Sequence, residues 1–134
     1  MKIYRFRRDI MKITTFDPLI ITPKAEDAIK VFEELGFKQT HAPVTQTETG
    51  EVQTVRMKND DGFHVDVADL KQLERDITYI RMNVDNFDEA YGILVANGFK
   101  NTRGDDTLNS KSSKEATMVS PSGFTIALVE HIKN

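Results

Sequence analysis

Apolar residues recur at helical spacing in two stretches of this chain and alternate with polar ones in most of the rest. Ala25, Ala28, Ile29, Phe32 and Leu35 fall at i, i+3, i+4, i+7 and i+10, one stripe of a helix. Phe87, Ala90, Tyr91 and Leu94 form a matching stripe further on. Thr22 followed by Pro23 predicts an N-cap and a first helical residue, and Gly36 a left-handed stop. Asn86 and Glu89 have capping-box spacing, and Gly98 ends the second helix. Strands are expected near 14–21, 37–43, 51–59 and 62–68, then near 77–84, 99–103, 115–119 and 123–130. Asn59-Asp60-Asp61-Gly62 and Ser120-Pro121-Ser122-Gly123 are turn tetrapeptides. The polar stretches 45–50 and 104–113 read as loops.

These elements form a repeat. The segment 28–38 returns at 90–100, ending in Leu35-Gly36-Phe37-Lys38 and in Asn97-Gly98-Phe99-Lys100. Asp61-Gly62-Phe63-His64-Val65-Asp66-Val67 returns as Ser122-Gly123-Phe124-Thr125-Ile126-Ala127-Leu128. A period that holds through a helix and then a strand marks two copies of one β-α-β-β-β unit. Repeat one spans 13–68, a linker 69–76 and repeat two 77–131. A single unit holds too little core to stand alone, so the two are expected to pair, within a chain or by swapping between chains.

Alternation divides each strand between two faces. Ile80, Met82 and Val84, Phe63, Val65 and Val67, and Phe124, Ile126 and Leu128 are expected beneath the helices. The other face takes Asp17, Leu19 and Ile21; Thr54, Arg56 and Lys58; His64 and Asp66; Tyr79, Arg81 and Asn83; and Thr125, Ala127 and Val129. A face this polar and not covered by its own helix is the expected functional surface. Met57 and Met118 stand at equivalent positions and suit core packing under the helices.

Composition narrows the function. A net charge of −3 over 134 residues argues against a nucleic-acid groove, which needs a clustered basic surface. No apolar run reaches the roughly 18 residues of a membrane span. The absence of cysteine excludes disulfides, thiol nucleophiles and Cys-ligated metals and suits a cytoplasmic setting. Residues 1–10 lack the apolar stretch of a signal peptide, and Met11-Lys12-Ile13 looks like a second beginning. Two readings of this leader stand: Met11 is the natural start, or the segment is a true basic extension before a domain of 11–134. No Ser-His-Asp order, P-loop or Gly-rich dinucleotide motif occurs. His41 is expected at an exposed edge and His131 in a tail without a role.

The paired units, the Leu35-Gly36-Phe37 helix stop, and Ser120-Pro121-Ser122-Gly123-Phe124-Thr125-Ile126 together resemble the vicinal oxygen chelate superfamily, the glyoxalase and bleomycin-resistance fold. The last segment is similar to the family's Asp-Pro-Asp-Gly-Asn-x-Ile-Glu pattern, with Phe124 where Asn is usual. The resemblance covers roughly Ile13 to Glu130. It implies an α+β fold in which two tandem β-α-β-β-β units form a curved eight-strand trough, with helices outside. Metal-using members offer a His, Glu or Gln on the first strand of each unit and a Glu on the last. The matching positions here are Asp17, Asp66, Tyr79 and Ala127. None is a His or Glu and alanine has no donor, so the family's metal site does not carry over, and neither metal nor cofactor is expected.

A substitute ligand set of Asp17, His64 and Asp66 competes with an ion and hydrogen-bond cluster of Asp66, His64 and Arg56, and the cluster is favoured. Arg81 suits a bidentate anion, and Tyr79 can stack on a flat ligand or donate a hydrogen bond; equally, Arg81 can pair with Asp17 or Asp66. Three functions fit these residues. The leading one is a metal-free small-molecule binder of the bleomycin-resistance type, a homodimer, with Tyr79, Arg81, His64, Asp66, Asp17 and Arg56 around an unidentified ligand. The second is a metal-dependent lyase or isomerase like glyoxalase, and the third an interaction module on the same scaffold.

Overall fold

A computed structural model describes residues 11–47, 50–109 and 112–132. The leader 1–10, the loop positions 48–49 and 110–111, and the tail positions 133–134 lie outside the described residues. Contacts divide the chain into two compact units, Asp17–Tyr79 and a second made of residues 80–132 with 11–16. Both are α+β, and each follows the β-α-β-β-β plan.

In the first unit the chain runs through β1 (Ile13–Thr22, inside this unit from Asp17), α1 (Ala25–Glu34), β2 (Lys38–His41), β3 (Val44–Thr47), β4 (Gly50–Lys58) and β5 (His64–Asp69). The strand order is β2-β4-β5-β1, with β3 also paired to β4. Only the β1–β5 pair is parallel, because α1 carries the chain across the sheet before β5 returns beside β1. The core is Val55, Met57 and Val65, against which Ile20, Ile29, Phe32 and Phe37 pack. These are the strand residues of one parity and the stripe of α1, as expected.

The second unit holds β6 (Ile77–Val84, inside this unit from Ile80), α2 (Phe87–Ala96), β7 (Lys100–Asn101), β8 (Leu108–Asn109), β9 (Ser113–Val119) and β10 (Thr125–His131). Its order is β6-β10-β9-β7, with β8 also on β9 and only β6–β10 parallel. Its core joins Met82, Val84, Ala116, Met118, Ile126 and Leu128 of the sheet to Phe87, Ala90 and Leu94 of α2. Met11 packs at its margin. Beside it, Lys12 and Asp85 exchange hydrogen bonds, Lys12 N to Asp85 Oδ1 at 2.7 Å and Asp85 N to Lys12 O at 3.1 Å.

Several expectations fail locally. Thr22 does not cap α1. It ends β1, where its carbonyl accepts from Leu70 N at 2.9 Å, so the helix starts at Ala25 with Lys24 as its cap. Leu35 is the C-cap and 66% exposed, because the helix ends before its stripe completes another turn. Phe63 and Phe124 are 67% and 52% exposed rather than under the helices. Both still belong to turns: Asn59 Oδ1 accepts from Phe63 N at 2.8 Å and Ser120 Oγ from Phe124 N at 3.0 Å. Phe124 instead meets Phe99 edge-on, with ring centroids 5.3 Å apart.

The polar stretch 45–50 is largely paired strand: β3 and β4 form a hairpin with Val44 opposite Gln53 and Thr47 opposite Gly50. Likewise β8 and the start of β9 occupy part of 104–113. His131 closes β10 opposite Ser113 rather than lying in a tail, and His41 is exposed on edge strand β2, as expected.

Candidate functional site

On each half-sheet the face turned away from its helix carries polar side chains. In the first unit Arg56 stands opposite Asp66 in the β4–β5 ladder, and Leu19 is the partner of Asp66 on β1. Arg56 Nε lies 3.4 Å from Asp66 Oδ1. Asp66 is 1% exposed and Asp17 6%. A carboxylate that deeply buried must be compensated, since an isolated buried charge is very costly. The pair with Arg56 supplies part of that compensation. It is made through Nε: Arg56 Nη2 is shut off from solvent and has no hydrogen-bond partner among the described residues. Arg56 also lies against edge strand β2, where Thr40 Oγ1 donates to its carbonyl oxygen at 3.2 Å.

His64 does not join the Asp66–Arg56 pair. It opens β5, is exposed, and faces Lys58 across the ladder. The expected three-residue cluster is therefore a two-residue ion pair with the imidazole one row beyond it. Among the described residues no three His, Asp or Glu side chains come together as ligands of one metal would, so Asp17, His64 and Asp66 do not form the substitute metal set.

In the second unit Arg81 and Asn83 stand on β6 beside Ala127 and Val129 of β10, which in turn face Thr117 and Glu115 of β9. Arg81 is half-buried. Asn83 is 4% exposed, and its Oδ1 accepts from no donor among the described residues. Glu115 Oε2 accepts from Ser113 Oγ at 3.0 Å. Tyr79, two residues before Arg81 on β6, is half-buried and falls in the first unit.

Asn83 was on the expected face but not singled out for a site. Alternation could place it there; its burial follows from packing, which one sequence does not reveal. The ladders also refine the family positions. The direct neighbours of Asp66 and Ala127 on the first strands are Leu19 and Arg81, two residues beyond Asp17 and Tyr79. With either pair the four residues include Ala127, which has no donor, at most two carboxylates and no imidazole. They do not fit a divalent ion of the family's kind.

No protein-family model matches the chain, and no curated protein matches it in sequence. Solved structures do match. A methylmalonyl-CoA epimerase superposes with a TM-score of 0.63 at 20% identity, over 87% of this chain and 94% of its own. A glyoxalase/bleomycin resistance protein/dioxygenase superfamily member from Vibrio splendidus gives 0.59 at 14% identity, over 90% and 100%. A V278E mutant of glyoxalase I from Zea mays gives 0.63 at 11% identity, over 91% of this chain and 44% of that longer one. Tandem β-α-β-β-β units with one helix each define the glyoxalase-type α+β domain. The chain has the vicinal oxygen chelate fold.

Proposed function

We propose that the protein is a metal-free binder of a small molecule, of the glyoxalase and bleomycin-resistance type. The observation that carries this reading is the set of polar atoms buried on the helix-averted faces without full internal satisfaction. Arg56 Nη2 and Asn83 Oδ1 have no partner among the described residues. A buried polar atom without a hydrogen bond costs about 1–3 kcal/mol, so each calls for a partner that the described side chains do not supply, and a bound ligand can supply it. In the first unit Arg56 shares its face with Asp17, His64 and Asp66, and in the second Asn83 shares its face with Arg81, side chains proposed for binding on each unit. Apolar Leu19, Ile21 and Val129 alternate with them, the mixture of apolar wall and sparse polar groups that ligand sites have. A metal-dependent lyase is disfavoured by Ala127, whose methyl group offers no lone pair.

A thermal-shift screen of metabolites and antibiotics tests the reading, run with a chelator and again with added Zn²⁺ or Ni²⁺. A ligand at a hundred times its Kd stabilises the folded state by about 2.7 kcal/mol, a rise of several degrees in Tm. The expected result is at least one such ligand whose effect survives chelation. Ligand binding that requires a tightly held stoichiometric metal would replace this reading with the lyase one. Silence from a chemically broad library would remove both.

A further inference from the structure

The helix-averted face of the first unit gathers basic side chains on three adjacent strands. Lys38 of β2 is the direct partner of Lys58 of β4, and Lys58 is the direct partner of His64 of β5. In the next row, past a bulge in β2, His41 is the partner of Arg56, and Arg56 of Asp66. Side chains of direct cross-strand partners point to one face, so these residues share the surface that carries Arg56 and Asp66. Lys38, Lys58, His41 and His64 are all exposed.

Like charges placed directly opposite one another destabilise a sheet. Neither Lys38 nor Lys58 makes an ion pair among the described residues, and the one carboxylate paired to this group, Asp66, is taken by Arg56 Nε. The remaining acids nearby are Asp17, buried on β1 of the same face, and Asp60 and Asp61, exposed in the turn that joins β4 to β5. The equivalent row of the second unit has no such repulsion, since Lys100 there faces Val119. A chain with a net charge of −3 thus places two exposed ammonium groups opposite each other, beside the Arg56–Asp66 pair.

We propose that this face binds the phosphoryl group of a small ligand. The donors favour phosphoryl over a single carboxylate. A carboxylate is best met by two parallel N–H groups on one edge of a guanidinium, and here Arg56 Nε already serves Asp66. What reaches the surface is two ammonium groups approaching from separate strands, point charges that suit the three oxygens and up to two charges of a phosphoryl group. Neighbouring strands lie about 4.8 Å apart and successive same-face residues about 6.7 Å, within reach of lysine side chains converging on one such group. The inference rests on the small-molecule-binding reading and names the ligand class for its first-unit half.

Titration of the full chain with pyrophosphate, followed by backbone amide NMR, tests it, with citrate as the carboxylate counterpart. Pyrophosphate should shift the amides of 38–41, 56–58 and 64–66, more weakly as salt rises. K38Q and K58Q, exposed and tolerable substitutions, should each weaken binding about fivefold, consistent with one exposed charge contact. Undiminished affinity in the double variant, shifts confined to other residues, or tighter binding of citrate would each overturn the phosphoryl assignment. If pyrophosphate fails while uncharged ligands from the thermal-shift screen still stabilise the protein, this inference falls alone. If nothing stabilises it, the binding reading falls first.

Discussion

The two repeats share a core pattern and differ on the face turned away from it. Beneath the helices, Met57, Val65 and Val67 of the first unit correspond to Met118, Ile126 and Leu128 of the second, and all six are buried. On the opposite face, the row Leu19–Asp66–Arg56 becomes Arg81–Ala127–Thr117, in the same ladder positions. The next row, Ile21–Ala68–Thr54, becomes Asn83–Val129–Glu115. Helix-facing positions are held to apolar residues of similar bulk because a packed interior tolerates little else. Helix-averted positions have no such constraint from the core, which leaves them free to diverge. In these rows one repeat carries its charge on β4 and β5, the other on β6 and β9.

The largest effects should come from the shared layer. Met118→Ala and Met57→Ala each remove a side chain of zero exposure and should cost about 2–5 kcal/mol in denaturant unfolding. Met118 should lie at the upper end, because its cluster is the more extensive and includes three residues of α2. Equal costs would show that the two cores are energetically alike despite that difference.

The diverged layer should respond unequally. Arg56→Ala leaves the buried Asp66 carboxylate short of a cation and should cost about 3 kcal/mol. That is the low end for breaking a buried pair, since the Arg56 side chain is 24% exposed. Its counterpart Thr117→Ala removes no charge and should cost less than about 1 kcal/mol. Matching values for the two would mean that the ion pair is solvated in solution and contributes little.

A third contrast lies at the helix stops. Gly36 and Gly98 both have positive φ, 104° and 89°. An alanine in that region is strained by roughly 1–2 kcal/mol. At Gly36 the added Cβ meets open space, whereas at Gly98 it would come within 2.8 Å of Pro121 Cγ. Gly98→Ala should therefore lower stability by about 2–4 kcal/mol, against about 1 for Gly36→Ala. Similar losses at both would mean that the Pro121 turn yields at little cost.

How far these features can be read from the chain depends on whether they are periodic. The 3.6 and 2.0 periods gave both helices, the strand parity and the equivalence of Met57 with Met118, because core burial repeats along an element. The site was legible only as a face. Alternation put Asp66, Arg56 and Asn83 on one side of their sheets, but register decides partners. Only the ladders place Leu19 rather than Asp17 beside Asp66, and Lys58 rather than Asp66 across from His64. Parity fails at Phe63 and Phe124, where the residue after the turn glycine reads as the first helix-facing position of its strand but still belongs to the turn. The hairpin of β3 and β4 was missed because its polar Thr-Gln-Thr sequence has no apolar alternation to announce it.

The smallest contrast is at the helix starts, and it can be changed in either direction. In α2 the Asn86 Oδ1 accepts from Glu89 N at 3.1 Å, and Glu130 Oε1 accepts from Phe87 N at 2.7 Å. Two of the N–H groups that a helix leaves unpaired at its start are thereby satisfied, and both acceptors come from outside the helix body. In α1 the cap residue is Lys24, whose side chain makes no such bond and whose ammonium sits at the positive end of the helix dipole. Asn86→Ala should cost about 1 kcal/mol. Lys24→Asp should gain about 0.5–1 kcal/mol by supplying an acceptor and reversing an unfavourable charge. Lys24 lies at φ −125° and ψ 57°, short of the extended backbone that a capping side chain prefers. The gain therefore requires the backbone to relax by a few tens of degrees in ψ. A Lys24→Asp variant no more stable than the parent would show that β1, held through the Thr22 carbonyl, does not permit that rotation. The weak start of α1 would then be imposed by the strand before it rather than by the residue at its cap.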